Sequence, residues 1–317
     1  MRALSLGPDG PRLVPDHPFA VRPGEARVRV SLAGVCATDL ELCKGYMGFS
    51  GVLGHEWVGV VEDAPDPRWI GQRVVGDINC ACGACATCRA GRPTHCPQRT
   101  VLGIQGRDGA FAEQLSIPLA NLHGVPDGVS DEHAVFVEPL AAACRILEQV
   151  HVRPSHRVVV LGLGRLGQLC ARVLALTGAQ VTGVARSSAS LSRLPSAIQG
   201  VRADAAESLE GADVVVDATG NPEGLAMAGR LVRPGGVVVL KTTTHDLGTA
   251  TPTDWVIHEV TLIGSRCGPF APALRLLAAG LIDPIDLITG RRGLDDGVAA
   301  LQEAAAPRSV KVLIDPR

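Results

Sequence analysis

The chain has 317 residues, about twice the usual length of a single domain, which favours two domains. Its apolar share of 46% and formal net charge of −2 describe a globular protein with a large core, so nucleic acid and anionic membranes are not expected as partners. The apolar stretches are interrupted by charged residues, and the N-terminus lacks the apolar core of a signal peptide. We therefore expect a cytoplasmic protein without a membrane-spanning helix.

Residues 26–117 are predicted to be rich in β-strands. Short segments that alternate or run apolar, such as residues 27–30 and 57–61, are separated by Gly and Pro. Two polar motifs interrupt them, C-A-T-D beginning at Cys36 and G-H-E centred on His55. Each motif is weak by itself, because a lone Cys or His is more often a structural residue of the core.

Five of the ten cysteines fall between residues 80 and 96. Four of them follow the pattern C-x2-C-x2-C-x7-C, namely Cys82, Cys85, Cys88 and Cys96. In a reducing compartment this pattern is more typical of a metal site than of disulfides, and the four thiolates can wrap a tetrahedral Zn²⁺ in a closed structural site. An iron–sulfur cluster is the alternative that the spacing leaves open.

After Pro139 the pattern changes to strands that alternate with helices. Apolar strands are predicted at residues 158–161, 181–184, 213–216, 236–240 and 260–263. This alternation is typical of a doubly wound parallel sheet. The tail adds two predicted helices and a last strand, at residues 273–279, 298–305 and 310–314.

The sequence from Gly162 to Gly167 reads G-x-G-x-x-G and lies between the first of these strands and an amphipathic helix. In such a turn Gly162 allows the tight bend, Gly164 lets the backbone approach a pyrophosphate, and Gly167 lets helix and strand pack closely. The helix that begins with Arg165 and Leu166 directs its N-terminus at the phosphate. The sequence therefore predicts a dinucleotide site.

The end of the second strand distinguishes NAD from NADP, because an Asp or Glu there binds the ribose 2′-hydroxyl and repels a 2′-phosphate. Here the strand ends at Ala185, and Arg186, Ser187 and Ser188 follow where the acid would stand. A guanidinium and two hydroxyls are suited to a phosphate, so we expect NADP. NAD is the alternative if Arg186 is an ordinary loop arginine.

Together the motifs resemble those of a known family. The chain resembles the zinc-dependent medium-chain dehydrogenase/reductase family, the zinc alcohol dehydrogenases. The resemblance lies in five features in this order: the C-A-T-D and G-H-E motifs, the four-cysteine lobe, the E-P-L sequence that begins at Glu138, and the glycine turn. The resemblance covers essentially the whole chain. It is closest to the polyol, threonine and glucose dehydrogenase branch, because Glu138 stands where other members have a cysteine. Two departures are Ala37 in place of the usual Gly and Glu41 in place of a His of the conventional proton path.

The resemblance implies an α/β fold in which a Rossmann domain, with a doubly wound parallel sheet, is inserted beside a β-rich GroES-like catalytic domain. Residues 1–138 and 272–317 would form the GroES-like domain, which carries the four-cysteine lobe. Residues 139–271 would form the Rossmann domain that binds the dinucleotide.

The family pattern also implies two zinc ions per chain, which favours zinc over iron–sulfur in the four-cysteine lobe. A catalytic Zn²⁺ would be bound by Cys36, His55 and Glu138, with Glu56 as a fourth or exchangeable ligand. Zinc there acts as a Lewis acid on the substrate oxygen. Thr38 is expected to pass the substrate proton toward solvent.

The implied activity is transfer of a hydride between NADP, or alternatively NAD, and a secondary alcohol or polyol, sugars included. By resemblance, Thr219, Arg266 and Lys311 lie where family members reach the cofactor. Dimers and tetramers are both common in the family, so we expect a homodimer or homotetramer. A non-catalytic nucleotide-binding protein is the remaining alternative, but such a protein has no use for an open metal site.

Overall fold

The computed structural model describes residues 1–242, 248–249 and 251–317. Within them the chain forms two compact units. The first unit consists of Met1–Glu138 and Phe270–Arg317, and the second, Pro139–Pro269, lies between these segments in the sequence. The first unit is rich in β-strands and the second has a parallel sheet flanked by helices, which confirms the predicted fold class.

The N-terminal segment of the first unit consists mainly of short strands. They are β1 (Ala3–Gly7), β2 (Gly10–Val14), β3 (Glu25–Gly34), β4 (Gly51–Val52), β5 (Glu56–Asp63), β6 (Arg73–Gly76), β7 (Asn79–Cys80), β8 (Thr100–Val101), β9 (Gln114–Pro118) and β10 (Leu122–Gly124). The helices are α1 (Ala37–Cys43), α2 (Ala86–Arg89), α3 (Asp131–Ala134) and α4 (Val137–Gln149), the last of which continues into the second unit. Single 3₁₀ turns occur at Tyr46–Gly48, Pro67–Trp69, Pro93–His95 and Leu119–Asn121.

Strand β3 is central to this unit. Val28 and Val30 are buried and alternate with the more exposed Arg27 and Arg29, as expected for a strand with one face on the core. Strands β5 and β9 both pair with it in antiparallel fashion. The register shifts between Val30 and Leu32, and from there to the end of the strand every residue is buried.

The register of β3 and β5 brings the two polar motifs together. Gly34, at the end of β3, lies opposite Glu56, at the start of β5. Cys36 follows closely after β3 and His55 immediately precedes β5. Both motifs therefore lie at the same end of one strand pair.

The second unit alternates strands and helices. Its strands are β11 (Arg157–Leu161), β12 (Gln180–Ala185), β13 (Gln199–Arg202), β14 (Ala212–Asp217), β15 (Val232–Leu240) and β16 (Thr261–Gly264). Its helices are α5 (Arg165–Ala175), α6 (Ser188–Leu191), α7 (Pro222–Leu231) and α8 (Pro252–Ile257), with a 3₁₀ segment at Ala203–Leu209.

These six strands form a parallel sheet in the order β13-β12-β11-β14-β15-β16 among the described residues. In chain order this is 3-2-1-4-5-6, the order of dinucleotide-binding sheets. The central strands are buried on both faces, so they read as apolar runs rather than as alternating ones. Leu161 pairs with both Val184 and Asp217, so the carboxyl ends of β11, β12 and β14 meet at one edge.

The C-terminal segment returns to the first unit with α9 (Phe270–Ala278), β17 (Ile288–Gly293), α10 (Gly297–Ala305) and β18 (Lys311–Asp315). Strand β18 lies between β3 and β17, antiparallel to the former and parallel to the latter. It is therefore an interior strand of the sheet. None of the helices in the part of the chain that the structure describes has the length and apolarity needed to cross a membrane.

Candidate functional site

Three side chains of the first unit form a buried group at the end of the β3–β5 pair. Cys36, His55 and Glu56 each place a ligand atom within 4.8 Å of the other two. His55 and Glu56 are buried, and Cys36 is partly exposed. A thiol, an imidazole and a carboxylate are donors that Zn²⁺ accepts, and the partly exposed thiol leaves access from outside.

Asp39 connects the residues of this group through its carboxylate. It is the third residue of α1 and is fully buried. Its carboxylate accepts hydrogen bonds from the backbone N–H of Cys36 at 2.8 Å and of Gly54 at 3.2 Å, and its Oδ1 lies 3.3 Å from His55 Nδ1. One carboxylate thus ties the two motifs together and leaves the other ring nitrogen of His55 for a metal.

The charges around His55 favour a cation at this point. Burial alone lowers the pKa of His55, but the negative charges of Asp39 and Cys36 outweigh it and hold that pKa well above its ordinary value. A site that stabilises positive charge on an imidazole in this way has the electrostatic character that a bound metal cation requires. The residues present therefore fit a zinc ion.

Glu56 is paired with a lysine of the last strand. The ammonium of Lys311 donates a hydrogen bond to Glu56 Oε2, and both side chains are 1% exposed. Lys311 Nζ also lies 3.5 Å from the carbonyl oxygen of Val35 and 5.6 Å from the centroid of the Phe136 ring. The pairing of β18 with β3 thus buries the Lys311 ammonium against Glu56. The contact of Lys311 with the cofactor stays a prediction.

Glu138 lies at the start of α4, outside the tight group of three. Burial, together with the negative charges of Glu56 and Asp77, raises the pKa of Glu138 to about 7, while His55 and Lys311 act in the opposite direction. The carboxyl of Glu138 is therefore close enough to interact electrostatically with His55 and Glu56. Its role as a metal ligand stays a prediction. The Thr38 hydroxyl oxygen lies 3.7 Å from Cys36 Sγ.

The four cysteines of the loop between β7 and β8 form a second group. The sulfur atoms of Cys82, Cys85, Cys88 and Cys96 are 3.5 to 3.9 Å apart along the four edges Cys82–Cys88, Cys85–Cys88, Cys85–Cys96 and Cys82–Cys96. With Zn–S bonds of about 2.3 Å, the edge of a ZnS₄ tetrahedron is about 3.8 Å. All four are free thiols. The spacing fits one tetrahedral ion, whereas a cluster of several iron atoms would hold the thiolates farther apart.

The backbone of this loop also favours the thiolate form of Cys82. Hydrogen bonds from the backbone N–H groups of Ala84 and Cys85 lower the pKa of Cys82 to about 6. Metals bind the thiolate form, so these donors assist metal binding. Cys96 is buried and Cys82 is exposed, so the group lies at the surface with one side covered.

In the second unit the glycine turn has the shape that a dinucleotide needs. Gly162 has φ +85°, and a Cβ there would lie 2.7 Å from the Cα of Thr219. A Cβ on Gly167 would lie 1.8 Å from the Gly162 carbonyl oxygen, so helix α5 and the turn touch at this point. A Cβ on Gly164 would meet nothing within 4 Å, which leaves open space for a pyrophosphate beside the first residues of α5, Arg165 and Leu166.

The other predicted cofactor residues lie around this turn or beyond it. Thr219 donates its hydroxyl to Asp217 Oδ1 at 2.7 Å, which holds it beside Gly162. Arg186, Ser187 and Ser188 are exposed directly after β12. Arg266 is exposed after β16, and its carbonyl oxygen accepts a hydrogen bond from Lys241 Nζ at 2.9 Å. These positions fit cofactor contacts, and the roles of these side chains stay predictions.

Comparisons with known proteins agree with this geometry. Residues 22–127 match the model of the alcohol dehydrogenase GroES-like domain, and residues 151–251 match an NAD(P)-binding model. The L-galactonate-5-dehydrogenase of Escherichia coli K12 is 32% identical over 84% of each chain, and the L-threonine 3-dehydrogenase of Streptomyces avermitilis is 31% identical over 93% of each.

The chain belongs to the zinc-type medium-chain dehydrogenase/reductase family.

Solved structures of similar proteins carry either cofactor. An alcohol dehydrogenase from E. coli CFT073, complexed with NADH, has a TM-score of 0.90 and 26% identity over 99% of both chains. A zinc-binding dehydrogenase from Sinorhizobium meliloti 1021, bound to NADP, has a TM-score of 0.88 and 29% identity over 99% of both chains. This medium-chain dehydrogenase/reductase is accordingly an NAD(P)-dependent oxidoreductase, and the comparisons leave the choice between the two cofactors open.

Sequence reasoning missed the Lys311–Glu56 pair of this dehydrogenase. A signal for it exists, because the chain has only three lysines, Lys44, Lys241 and Lys311, and one of them interrupts the final apolar strand. A lysine in a buried strand needs an anionic partner. The partner could not be named without the register of β18 against β3.

Proposed function

We propose that this protein is a zinc-dependent dehydrogenase that oxidises the secondary hydroxyl of a polyol or sugar-derived substrate, or reduces the matching carbonyl, with NADP. The buried group of Cys36, His55 and Glu56, within 4.8 Å of one another, carries the proposal, because it is a donor set for catalytic zinc. The relatives named for galactonate and threonine dehydrogenation support a substrate that bears hydroxyl groups.

The side chains in and around this group have separate roles in the proposed reaction. Zinc held by Cys36, His55 and Glu138 would polarise the substrate oxygen, and NADP would take up the hydride. The Thr38 hydroxyl accepts the proton that leaves the substrate hydroxyl and passes its own proton on toward solvent. Asp39 fixes the His55 ring through the contact at Nδ1.

Glu56 has a separate part as an exchangeable ligand. Its carboxylate is held by the Lys311 ammonium, so it rests in an ion pair beside the metal position. When a metal is bound, Glu56 would be the residue that supplies a further carboxylate ligand, and Lys311 would be its partner otherwise.

The preference for NADP rests on the segment after β12. Arg186, Ser187 and Ser188 are exposed, and the sequence from Ala185 to Arg202 contains no acid that would repel a 2′-phosphate. Arg186 would form the charge-assisted contact with that phosphate. The oxygen of Ser187 caps α6 by accepting the N–H of Ala189 at 3.2 Å, and its own O–H is still available as a donor.

The test is a panel of polyols, aldoses and secondary alcohols with NADP and NAD, read by nicotinamide absorbance. We expect kcat/KM with NADP to exceed that with NAD by at least about tenfold, worth ~1.4 kcal/mol. Arg186→Ala should remove most of this preference. Arg233→Ala, which alters an exposed arginine paired with Asp213 at the amino ends of β14 and β15, is the matched control and should not. A preference for NAD in the unaltered protein contradicts the cofactor proposal.

Two zinc ions per chain are the expected metal content. Elemental analysis of Cys36→Ala should give about one zinc ion per chain together with loss of activity, because the structural site keeps its four thiolates. Cys43→Ala changes a nearby cysteine of α1 and should keep both ions. Full activity in Cys36→Ala would overturn the catalytic assignment.

We also propose a homodimer or homotetramer in a reducing, cytoplasmic compartment. The four cysteines of the lobe are thiols rather than disulfides, which suits such a compartment. Strand β16 ends the sheet of the second unit among the described residues, and the neighbouring Val256, Ile257 and Leu262 are exposed. A second copy pairing along this strand would cover them. Sedimentation of Leu262→Lys should then show a smaller species than the unaltered protein.

A further inference from the structure

Residues 186–194, which carry the predicted 2′-phosphate contacts, contain little secondary structure of their own. Helix α6 within this segment has only four residues, Ser188–Leu191, which is too short to be stable by itself. The last carbonyl groups of such a helix also lack partners within it. The position of Arg186, Ser187 and Ser188 therefore depends on contacts that the end of this segment makes with the rest of the unit.

Two buried side chains of α5 form hydrogen bonds with the end of this segment. Gln168 Nε2 donates a hydrogen bond to the Ser190 carbonyl oxygen at 2.7 Å, and Arg172 Nη2 donates one to the Arg193 carbonyl oxygen at 2.9 Å. Gln168 is fully buried and Arg172 is 6% exposed. The two residues are four positions apart and so lie on the same face of α5. This face supplies donors to carbonyl groups at the end of α6 and just after it.

The same face connects this segment with the glycine turn. Gln168 Nε2 lies 3.5 Å from the carbonyl oxygen of Leu163, inside the turn. A Cβ on Gly183 would lie 3.0 Å from the terminal carbons of both Leu163 and Leu194. Both leucines therefore pack against the position that a side chain on Gly183 would occupy. The pyrophosphate turn and the segment after β12 thus share one buried set of contacts.

We propose that Gln168 and Arg172 are positioning residues that set recognition of the cofactor's 2′-phosphate. They fix the backbone of residues 186–194, so that Arg186, Ser187 and Ser188 meet the phosphate without first having to be ordered. Contacts of this kind are strong only when the donors are held within about half an ångström of their productive positions. The proposal rests on the proposed preference for NADP.

The experiment measures binding of two cofactor fragments by calorimetry, adenosine 2′,5′-bisphosphate and 5′-AMP, which differ only in the 2′-phosphate. In Arg172→Met we expect the bisphosphate to bind about tenfold more weakly and 5′-AMP to change less than about twofold. Arg172→Lys keeps a cationic donor and should recover part of the loss. Gln168→Leu should weaken both fragments, because Gln168 also reaches the glycine turn.

Hydrogen exchange gives a second readout that does not depend on the cofactor. Amides of residues 187–194 should exchange faster in Arg172→Met and Gln168→Leu, whereas amides of β11 and β14 should not. Cys170→Ala, a buried change on the same helix whose charged neighbour is Lys241, is the matched control and should alter neither readout. Unchanged exchange in both variants, or the same loss of discrimination in Cys170→Ala, overturns the inference.

The wild-type binding data separate this inference from the proposed function. If the unaltered protein binds both fragments equally, the NADP preference is wrong, and the role of Gln168 and Arg172 in 2′-phosphate recognition is wrong with it. If the unaltered protein prefers the bisphosphate and Arg172→Met keeps that preference, the NADP proposal stands and only the positioning role is overturned.

Discussion

The Lys311–Glu56 pair is a residue-scale feature with a measurable energetic effect. Lys311→Met leaves the Glu56 carboxylate buried without its partner, and breaking one side of a buried pair costs about 3–5 kcal/mol. Urea unfolding in a Cys36→Ala background, which lacks the metal that could take up the freed carboxylate, should show a loss of that size, and Lys311→Arg should keep most of the stability. The Lys44–Glu41 pair, at 2.7 Å but exposed, gives the matched control Lys44→Met, which should unfold like the unaltered protein. Equal losses in Lys311→Met and Lys44→Met would mean that burial of the pair has no energetic role.

A second residue-scale prediction concerns stability in acid. Glu25 accepts hydrogen bonds from Arg107 at 2.7 and 2.8 Å and from Ser116 at 2.7 Å. Burial by itself raises the pKa of Glu25, but these hydrogen bonds and the charge of Arg107 outweigh it and hold that pKa below its ordinary value of 4.5. The pair therefore stabilises the fold fully above the ordinary pKa, and this stabilisation is lost as the pH falls through the lowered one.

Urea unfolding between pH 7 and pH 3 checks this. Glu25→Gln should be less stable than the unaltered protein at pH 7, and its stability should fall less steeply below pH 4.5. Glu41→Gln, which removes a carboxylate from an exposed pair, should follow the unaltered protein across the whole range. If Glu25→Gln and the unaltered protein show parallel curves, the lowered pKa of Glu25 is refuted.

At the scale of single elements, the four-cysteine lobe depends on its metal. The loop between β7 and β8 contains one short helix, α2, and one 3₁₀ turn, so little secondary structure holds it together. Removal of zinc by a chelator should therefore open it to trypsin at Arg89 and Arg99, which mass spectrometry of the fragments would detect. Cys36→Ala, which lacks only a predicted ligand of the other site, should resist trypsin there as long as zinc is present. Cleavage of the loaded protein at the same rate as the chelated one would contradict a structural zinc.

Local sequence patterns predicted the central strands of the second unit closely, whereas β13 was not predicted and β15 begins at Val232 instead of residue 236. Strands expected at residues 158–161, 181–184 and 213–216 are found as β11, β12 and β14 with shifts of one residue at their ends. These strands are buried on both faces and follow glycine or turn residues, so each is marked in its own sequence. The prediction of a doubly wound sheet is confirmed for the same reason.

The first unit was predicted less completely because its pairings are distant in sequence. Strands β1 and β2 were not predicted, although Pro8-Asp9-Gly10 between them is a turn signal and Gly10 has φ +100°. The grouping of Cys36 with His55 was inferred from family resemblance, whereas the contacts of Asp39 and the partner of Glu56 required the β3–β5 and β3–β18 registers. No local pattern encodes a register between strands so far apart.

At the scale of the whole molecule, the first unit is built from two segments that the second unit separates in sequence. Strand β18 joins them, because it lies inside the sheet between β3 and β17. A chain that ends at Ser309 lacks this strand and should fail to form the first unit, seen as loss of solubility and a weaker near-ultraviolet circular dichroism. Removal of Pro316 and Arg317 alone deletes no part of β18 and should leave both properties intact. A soluble, folded chain that ends at Ser309 would show that β18 is dispensable.

The insertion also fixes an order of events during synthesis. Strand β3 leaves the ribosome long before its neighbour β18, and at about 5–20 residues per second the interval is on the order of tens of seconds. The second unit, whose strands are contiguous in sequence, can close within that interval. During that interval, the edge of β3 that later pairs with β18 is exposed to other chains. We therefore expect chaperone dependence in the cell to arise from the first unit, and to end when residues 311–315 emerge.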